Sequence, residues 1–418
     1  MKKLFSLLFL FMALSGCKSL TTQDNIINFL SAPKLNQNES EVVRAISEYT
    51  NRNINLKYPK SGGNASPVNI VDIDNDGTNE AVVFYSARSI GGNVRMAVLT
   101  QTEKGWIVTD DSEGFGTEIY KADFESFSDK KQKNIAVGYT FSDSSEKLLS
   151  VYTLNGKTVK KTDTYSCQDY TICDVTGDRA ADIIIAGNNA EEQVASIAVI
   201  SLINTNFITM AKAELDTTNA KVTNIALTKT ENGGNAVLVD YSDPYKFVHT
   251  EVFEYTKGKL EQIMSGNTVV KEWAQAYNLI SLDTDKDGFF ETPTIITDST
   301  SIEKTAKFME WTCFYIENPE RKLFGVCETE KGIFIPIPDE WQNYITVSKN
   351  EDGSYIFSSV LDSSALFTMT VYTSRVPSDI DSGAVLVSIG TMQIAFTFGE
   401  NTSPEQIKYI TENIIYLK

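Results

Sequence analysis

Short apolar runs recur along most of the chain, each entered through a polar stretch rich in Asp, Asn and Gly. The runs Ala81–Tyr85, Ile135–Tyr139, Ile183–Gly187, Ala236–Asp240 and Thr292–Ile296 each follow such a stretch. Runs of this length bounded by turn residues predict buried β-strands rather than helices. Each is followed by an alternating segment and then a dipeptide suited to a tight turn: Lys104-Gly105, Asn155-Gly156, Thr205-Asn206 and Lys257-Gly258. Ser150–Leu154 before such a turn and Lys157–Val159 after it alternate as the two arms of a hairpin do, and Gly or Asn supplies the positive φ that two-residue hairpins need.

The polar entry stretches carry a motif of their own. Asp72, Asp74, Asp76, Gly77 and Glu80 precede the first run, and Asp283, Asp285, Asp287, Gly288 and Glu291 the last. A worn copy, Asp174, Thr176, Asp178 and Asp182, precedes the third, while Asn134 and Asn235 stand where the other two copies have lost their carboxylates. Both the acidic loop and the tight turn repeat at about 50 residues, and two features locked to one such period predict a four-stranded blade repeated around an axis. The fold class expected is mainly β: a propeller of about five blades over residues 64–335. A pair of β-sandwiches is the competing architecture, but it gives no reason for turn and loop to recur in step.

Both ends carry other patterns. Asn38–Glu41 reads as a capping box, with Val42, Val43, Ile46 and Tyr49 on one face of a short helix, so residues 39–63 form a helix and lead-in. Trp341–Phe398 alternates like an antiparallel sheet; Ser403, Pro404 and Gln406 then give the start of a helix whose apolar face is Ile407, Ile410, Ile414 and Leu417. Residues 336–418 are expected to form a small α+β domain.

In the acidic loops, oxygens from positions 1, 3, 5 and 9 and the backbone carbonyl of position 7 wrap a hard cation, with glycine at position 6 making the bend. That assigns Asp72, Asp74, Asp76, Thr78 (carbonyl) and Glu80 to one site and Asp283, Asp285, Asp287, Phe289 (carbonyl) and Glu291 to a second. Donors that are all oxygen favour calcium. An EF-hand needs Glu at position 12 and flanking helices, whereas position 12 is Val83 or Thr294 and strands flank both loops. The third loop is a weak site, with Arg179 at the glycine position expected to replace the cation. If the ring closes, the two complete loops would lie side by side and hold the first blade to the last.

Charge and rare residues narrow the chemistry. With 55 acidic against 37 basic residues the net charge is −18, which argues against nucleic acid as a partner. His249 is the only histidine, so histidine triads and multi-histidine metal centres are excluded; it falls in a strand-like run and reads as structural. Trp106, Trp273, Trp311 and Trp341 fit core positions better than sugar platforms. No catalytic residue stands out.

The chain opens on Met1, Lys2 and Lys3, followed by an apolar run from Leu4 to Leu14, too short to span a bilayer, and then Ser15, Gly16 and Cys17. Residues 1–16 read as an export signal. The tetrad Leu14–Cys17 resembles the lipobox of bacterial lipoproteins, which implies lipid on Cys17, residues 17–38 as a tether, and a location on the extracytoplasmic face of the cell membrane. Four further cysteines permit two disulfides in an exported chain. A hairpin centred on Glu320 would set Cys313 opposite Cys327, leaving Cys167 and Cys173 to pair across a short bend or stay reduced.

The repeats resemble FG-GAP and VCBS-type propeller repeats over about two thirds of the chain. Phe115-Gly116 stands ahead of the second loop as in that family, but a literal Gly-Ala-Pro is absent. The segments Leu30–Leu35, Leu56–Gly62 and Pro338–Trp341 are similar to those of a group of lipoproteins from monoderm (Firmicutes-type) bacteria. The resemblance implies architecture and little chemistry. The function expected is a surface-anchored, calcium-stabilised module binding an extracellular protein or glycan. The alternatives are a structural or assembly subunit of an envelope complex, docking through its C-terminal domain, and a glycan-active enzyme using paired carboxylates.

Overall fold

The computed structural model describes residues 35–51, 53–87, 92–128, 132–142, 144–189, 194–245, 247–268, 279–296, 305–373, 383–389 and 392–417. Cys17, the export segment, most of the tether and Trp273 lie outside the described residues. Gln37–Lys418 forms one compact unit.

Five antiparallel sheets follow one another along the chain. Blade 1 contains β1 (Ile54–Leu56), β2 (Val68–Val71), β3 (Glu80–Ala87), β4 (Arg95–Thr102) and β5 (Gly105–Glu113). There β1 and β2 share one place beside β3, pairing with its two halves. Blade 2 is β6 (Glu118–Glu125), β7 (Asn134–Thr140), β8 (Lys147–Asn155) and β9 (Thr158–Cys167); blade 3 is β10 (Asp169–Cys173), β11 (Asp182–Asn189), β12 (Val194–Ile203) and β13 (Asn206–Glu214). Blade 4 is β14 (Lys221–Lys229), β15 (Asn235–Ser242), β16 (Val248–Thr256) and β17 (Lys259–Thr268). Blade 5 holds β18 (Thr292–Ile295), β19 (Ala306–Cys313), β20 (Glu320–Glu328) and β21 (Ile333–Pro336), and a single bridge between Leu282 and Glu291 stands where its first strand would be.

The apolar runs of blades 2 to 5 are buried because both faces of each sheet meet another sheet, whereas blade 1 meets blade 2 and the helix Gln37–Thr50. Side chains alternate between faces with a period of two, and successive residues here enter different cores. Ile135 and Val137 pack toward blade 1, Ala136 toward blade 3. Ile183 faces blade 2 and Ile184 blade 4. Val237 and Val239 face blade 3, while Ala236 and Leu238 pack with Phe290 and Tyr315 of blade 5. Strand β7 is buried at every position. Meander sheets stacked face to face in sequence order make the fold a β-propeller.

After blade 5 come β22 (Ile345–Lys349), β23 (Tyr355–Ser359), β24 (Ala365–Tyr372), β25 (Val385–Ile389) and β26 (Met392–Phe398), ordered β22-β23-β24-β26-β25. This sheet packs on the far face of blade 5, where Phe308, Phe324, Val326 and Ile335 share a core with Trp341, Phe357, Phe367 and Phe396. Helix Pro404–Glu412 begins with the expected capping box: Ser403 accepts from the Gln406 N–H, and the Gln406 side chain accepts from the Ser403 N–H. The helix stops before Ile414. The chain then returns as β27 (Ile415–Tyr416) beside β21, and Leu417 is buried against blade 5.

Two local expectations need correction. The first helix, α1, runs Gln37–Thr50, so Asn38 lies within its first turn and is not its cap. Instead, the Asn38 side-chain oxygen accepts the indole N–H of Trp106 at 3.0 Å, while Val42 and Ile46 are buried and Tyr49 is exposed. Among the tight turns, the residues between paired strands are Glu103-Lys104, Gly156-Lys157, Asn204-Thr205 and Lys257-Gly258. In the third, Asn204 and not Asn206 takes the positive φ, 58°.

Candidate metal centres

The five polar stretches all connect the first strand of a blade to its second, so antiparallel geometry puts them at one end of the propeller. Loops 72–80 and 283–291 fold alike. In the first, the N–H groups of Asp76 and Gly77 donate to the two oxygens of Asp72, and Asp76 N–H also reaches Asp74. In the second, Asp287 and Gly288 donate to Asp283, and Asp287 also reaches Asp285. Gly77 and Gly288 both have φ of 90°, the left-handed bend that position 6 requires. Thr78 N–H donates to Asp76 at 2.7 Å and Phe289 N–H to Asp287 at 2.8 Å. Backbone donors thus aim the carboxylates before any ion arrives.

The position-9 carboxylates are buried beneath the loops. Glu80 accepts from Ile73 N–H at 3.0 Å; Glu291 accepts from the N–H and hydroxyl of Thr284 through Oε2, while its Oε1 is buried without a partner. Burial, reinforced by the neighbouring aspartates, holds both carboxyls above the usual range despite the opposing hydrogen bonds. In each loop one oxygen from positions 1, 3 and 9 (Asp72, Asp74 and Glu80; Asp283, Asp285 and Glu291) lies within 4.8 Å of the others. Two ligand oxygens at about 2.3–2.6 Å from Ca²⁺ are at most about 5 Å apart, so the cluster has the span of a calcium shell. The orphaned Glu291 oxygen and the oxygen-only donor set fit the same ion. The position-5 carboxylates, Asp76 and Asp287, are not part of these clusters.

The third loop keeps the backbone and changes the chemistry. Asp174 accepts from the N–H groups of Gly177, Asp178 and Arg179, and Asp182 from those of Val175 and Thr176. The second oxygen of Asp182 is taken by the Ser201 hydroxyl at 2.5 Å, and the Thr176 hydroxyl is buried without a partner. Arg179 adopts φ of 74° at the glycine position and is exposed, and it joins no ion pair among the described residues. It does not replace the cation. In the two loops without carboxylates the asparagines bind protein: Asn134 donates to Thr153 Oγ1, and Asn235 to the carbonyls of Asp174 and Val175.

The two complete loops are tied to the blades next to them in sequence. Loop 72–80 is joined to blade 2 by Lys133, and loop 283–291 to blade 4 by Lys229 and Thr228. The expected pairing of the two across a first-to-last seam is not among the contacts of the described residues. Further side chains that the motif does not include reach the second loop. Lys322 Nζ lies 3.2 Å from Asp285, 3.1 Å from Asp287 and 3.1 Å from Glu320. Lys229 Nζ donates to the Asp287 carbonyl, and the Tyr315 hydroxyl accepts Phe290 N–H. Lys322 and Lys229 come from other strands and Tyr315 from the connection between β19 and β20, and no local spacing marks them.

The cysteines are thiols in a register that does not bridge them. Strand β20 starts at Glu320, directly after Pro319, which lacks the N–H a ladder needs. Cys313 therefore faces Glu320 and Cys327 faces Lys307. Cys167 and Cys173 end β9 and β10, in different sheets and different cores. All four are free, and burial pushes the Cys167, Cys173 and Cys327 thiols up to about 12. Trp106, Trp311 and Trp341 are buried in cores, and His249 stacks on Tyr241 with its Nε2 3.2 Å from Asp243, so these residues are structural.

No family model matches the sequence, and no curated protein matches it. Among solved structures the chain is similar to Saccharomyces cerevisiae Sqt1, with 7% identity over 79% of this chain and 95% of that one and a TM-score of 0.34. It is similar to the Bacillus licheniformis rhamnogalacturonan lyase PL11, with 10% identity over 74% and 69% and a TM-score of 0.33. It is also similar to the β-propeller domain of the Trilobed protease from Pyrococcus furiosus, with 10% identity over 72% and 80% and a TM-score of 0.28. Likeness at this level assigns no activity.

Proposed function

We propose that this chain is a calcium-stabilised propeller of the FG-GAP/VCBS type, anchored to the outer face of the cell membrane through lipid on Cys17, and that it binds an extracytoplasmic protein or glycan. The observation that carries the calcium reading is the convergence of three carboxylates in each of two loops, with one buried Glu291 oxygen left unpartnered. The anchor rests on the pattern Leu14–Cys17; no helix among the described residues is long and apolar enough to cross a membrane.

The binding face we assign is the end opposite the acidic loops. Connections between second and third strands emerge there, and they carry Phe141, Tyr245 and Phe247, exposed by 60%, 82% and 45%. Exposed aromatic rings are the residues that dominate protein contacts and stack on sugars.

The test uses the full chain made in a bacterial host. Cys17→Ser should release it from membranes. Screened against a glycan panel and against crosslinked envelope proteins, the chain should hold a partner that Phe141→Ala and Tyr245→Ala weaken at least about tenfold without altering the melting temperature. A partner indifferent to both variants contradicts the assigned face, and membrane retention of Cys17→Ser contradicts the anchor.

A further inference from the structure

Loops 72–80 and 283–291 have the same carboxylates, the same bend and the same backbone hydrogen bonds, yet among the described residues only the second has an ammonium in it. Lys322 Nζ is within 3.2 Å of Asp285 and 3.1 Å of Asp287, and its side chain is 17% exposed against 39% and 36% for the two carboxylates, so the lysine stem is packed while the paired charges face solvent. Lys229 adds a second positive charge at the Asp287 carbonyl. Among the described residues, none of Asp72, Asp74, Asp76 and Glu80 is in an ion pair.

We propose that Lys322 is a tethered counter-ion that competes with the divalent cation for the blade 5 loop, so that the two loops fill in sequence: 72–80 at low calcium and 283–291 only at higher calcium. The inference rests on the calcium reading above and concerns how that site is regulated. Asp285 supplies the position-3 oxygen of the cluster, and the same carboxylate holds Lys322. An entering ion must take Asp285 from the lysine and then remain beside its charge. Lys322 does not complete the loop either, because Glu291 Oε1 beneath it is still buried without a partner. A divalent ion satisfies that oxygen and the lysine does not. Glu320, on the same strand as Lys322 and outside the loop, is where the ammonium remains paired once displaced.

Calorimetric titration of the full chain with CaCl₂ tests this. The wild-type protein should show a tight and a weak class of site. Asp74→Ala should remove the tight class and Asp285→Ala the weak one. Lys322→Met should tighten the weak class about tenfold, the effect of one charge removed at short range, with the tight class unchanged, while Lys322→Arg stays near wild type. Glu320→Gln, which takes away the partner outside the loop, should weaken the second class further and serves if Lys322→Met does not fold. A weak class that neither Lys322→Met nor Glu320→Gln moves overturns the counter-ion while leaving calcium binding intact. Absence of any calcium heat in both wild type and Lys322→Met overturns the calcium reading itself.

Discussion

The N–H of Lys133 donates to the carbonyl of Ile73 at 2.7 Å, and this bond ties the first acidic loop to the corresponding loop of the next blade. The pattern repeats around the same end. Ala181 N–H donates to the Ser126 carbonyl, Asn235 to the Asp174 and Val175 carbonyls, and Lys229 N–H to the Gly288 carbonyl. Five connections thus form one hydrogen-bonded belt, and an ion held in either complete loop stiffens its junction with the adjacent blade.

Glu291→Gln should reverse its effect with calcium. In chelator the wild-type carboxylate is buried near Asp285 and Asp287 with one oxygen unpartnered, so the neutral amide should stabilise the fold by about 1 kcal/mol. In saturating calcium the same change removes a ligand and should destabilise it. Urea unfolding in the two conditions gives both signs; the same sign in both contradicts a ligand role for Glu291.

Arg179→Gly should stabilise the chain in either condition. Arg179 holds φ of 74°, in the region that costs an L-residue about 1–2 kcal/mol, and its exposed side chain makes no ion pair among the described residues. Part of that gain is lost to the greater unfolded-state freedom of glycine, so the net expectation is about 0.5–1 kcal/mol. Destabilisation would assign the guanidinium a role that the structure does not show.

The propeller was legible because its two signals are local. A buried run such as Ala81–Tyr85 and a bend such as Gly77 are each set within a few residues, and the period links them. The matching folds of loops 72–80 and 283–291 were legible for the same reason. What could not be read were relationships between distant strands: Lys322 beside Asp285, Trp106 donating to Asn38, and the fourth strand pairing that returns the C-terminus to blade 5. The register of β19 against β20 also escaped, because Pro319 and a bulge at Trp311 and Thr312 moved Cys313 opposite Glu320. A shift along a ladder leaves composition and alternation untouched while changing every partner.

Stability should rise in mild acid through Asp123. Burial raises its carboxyl to about 6, with Lys121 opposing and Glu125 adding to the shift. A carboxyl whose folded pKa is raised binds its proton more tightly in the folded state. Its contribution is therefore fully present below about 4 and is lost as pH rises through about 6. Asp123→Asn should be more stable than wild type at pH 7.5 and indistinguishable from it near pH 4. An equal difference at both pH values would contradict the raised pKa.

Trp106→Phe should loosen helix α1 without disturbing the blades. The ring volume is largely kept while the hydrogen bond to Asn38 is lost, at about 1 kcal/mol. Hydrogen exchange should speed up at the amides of 41–50 and stay unchanged in β7 and β15. Exchange that accelerates throughout blade 1 would mean the indole supports the sheet and not the helix.

The central claim is that calcium holds this propeller together, and thermal unfolding of the full chain in millimolar calcium against chelator tests it most directly. An ion at about 100 times its dissociation constant contributes about 2.7 kcal/mol per site, so the midpoint should rise by about 5 °C or more. Asp74→Ala and Asp285→Ala should each reduce that rise, with Asp74→Ala removing the larger part at low calcium. A folded wild-type chain whose midpoint is the same in calcium and chelator would contradict the account.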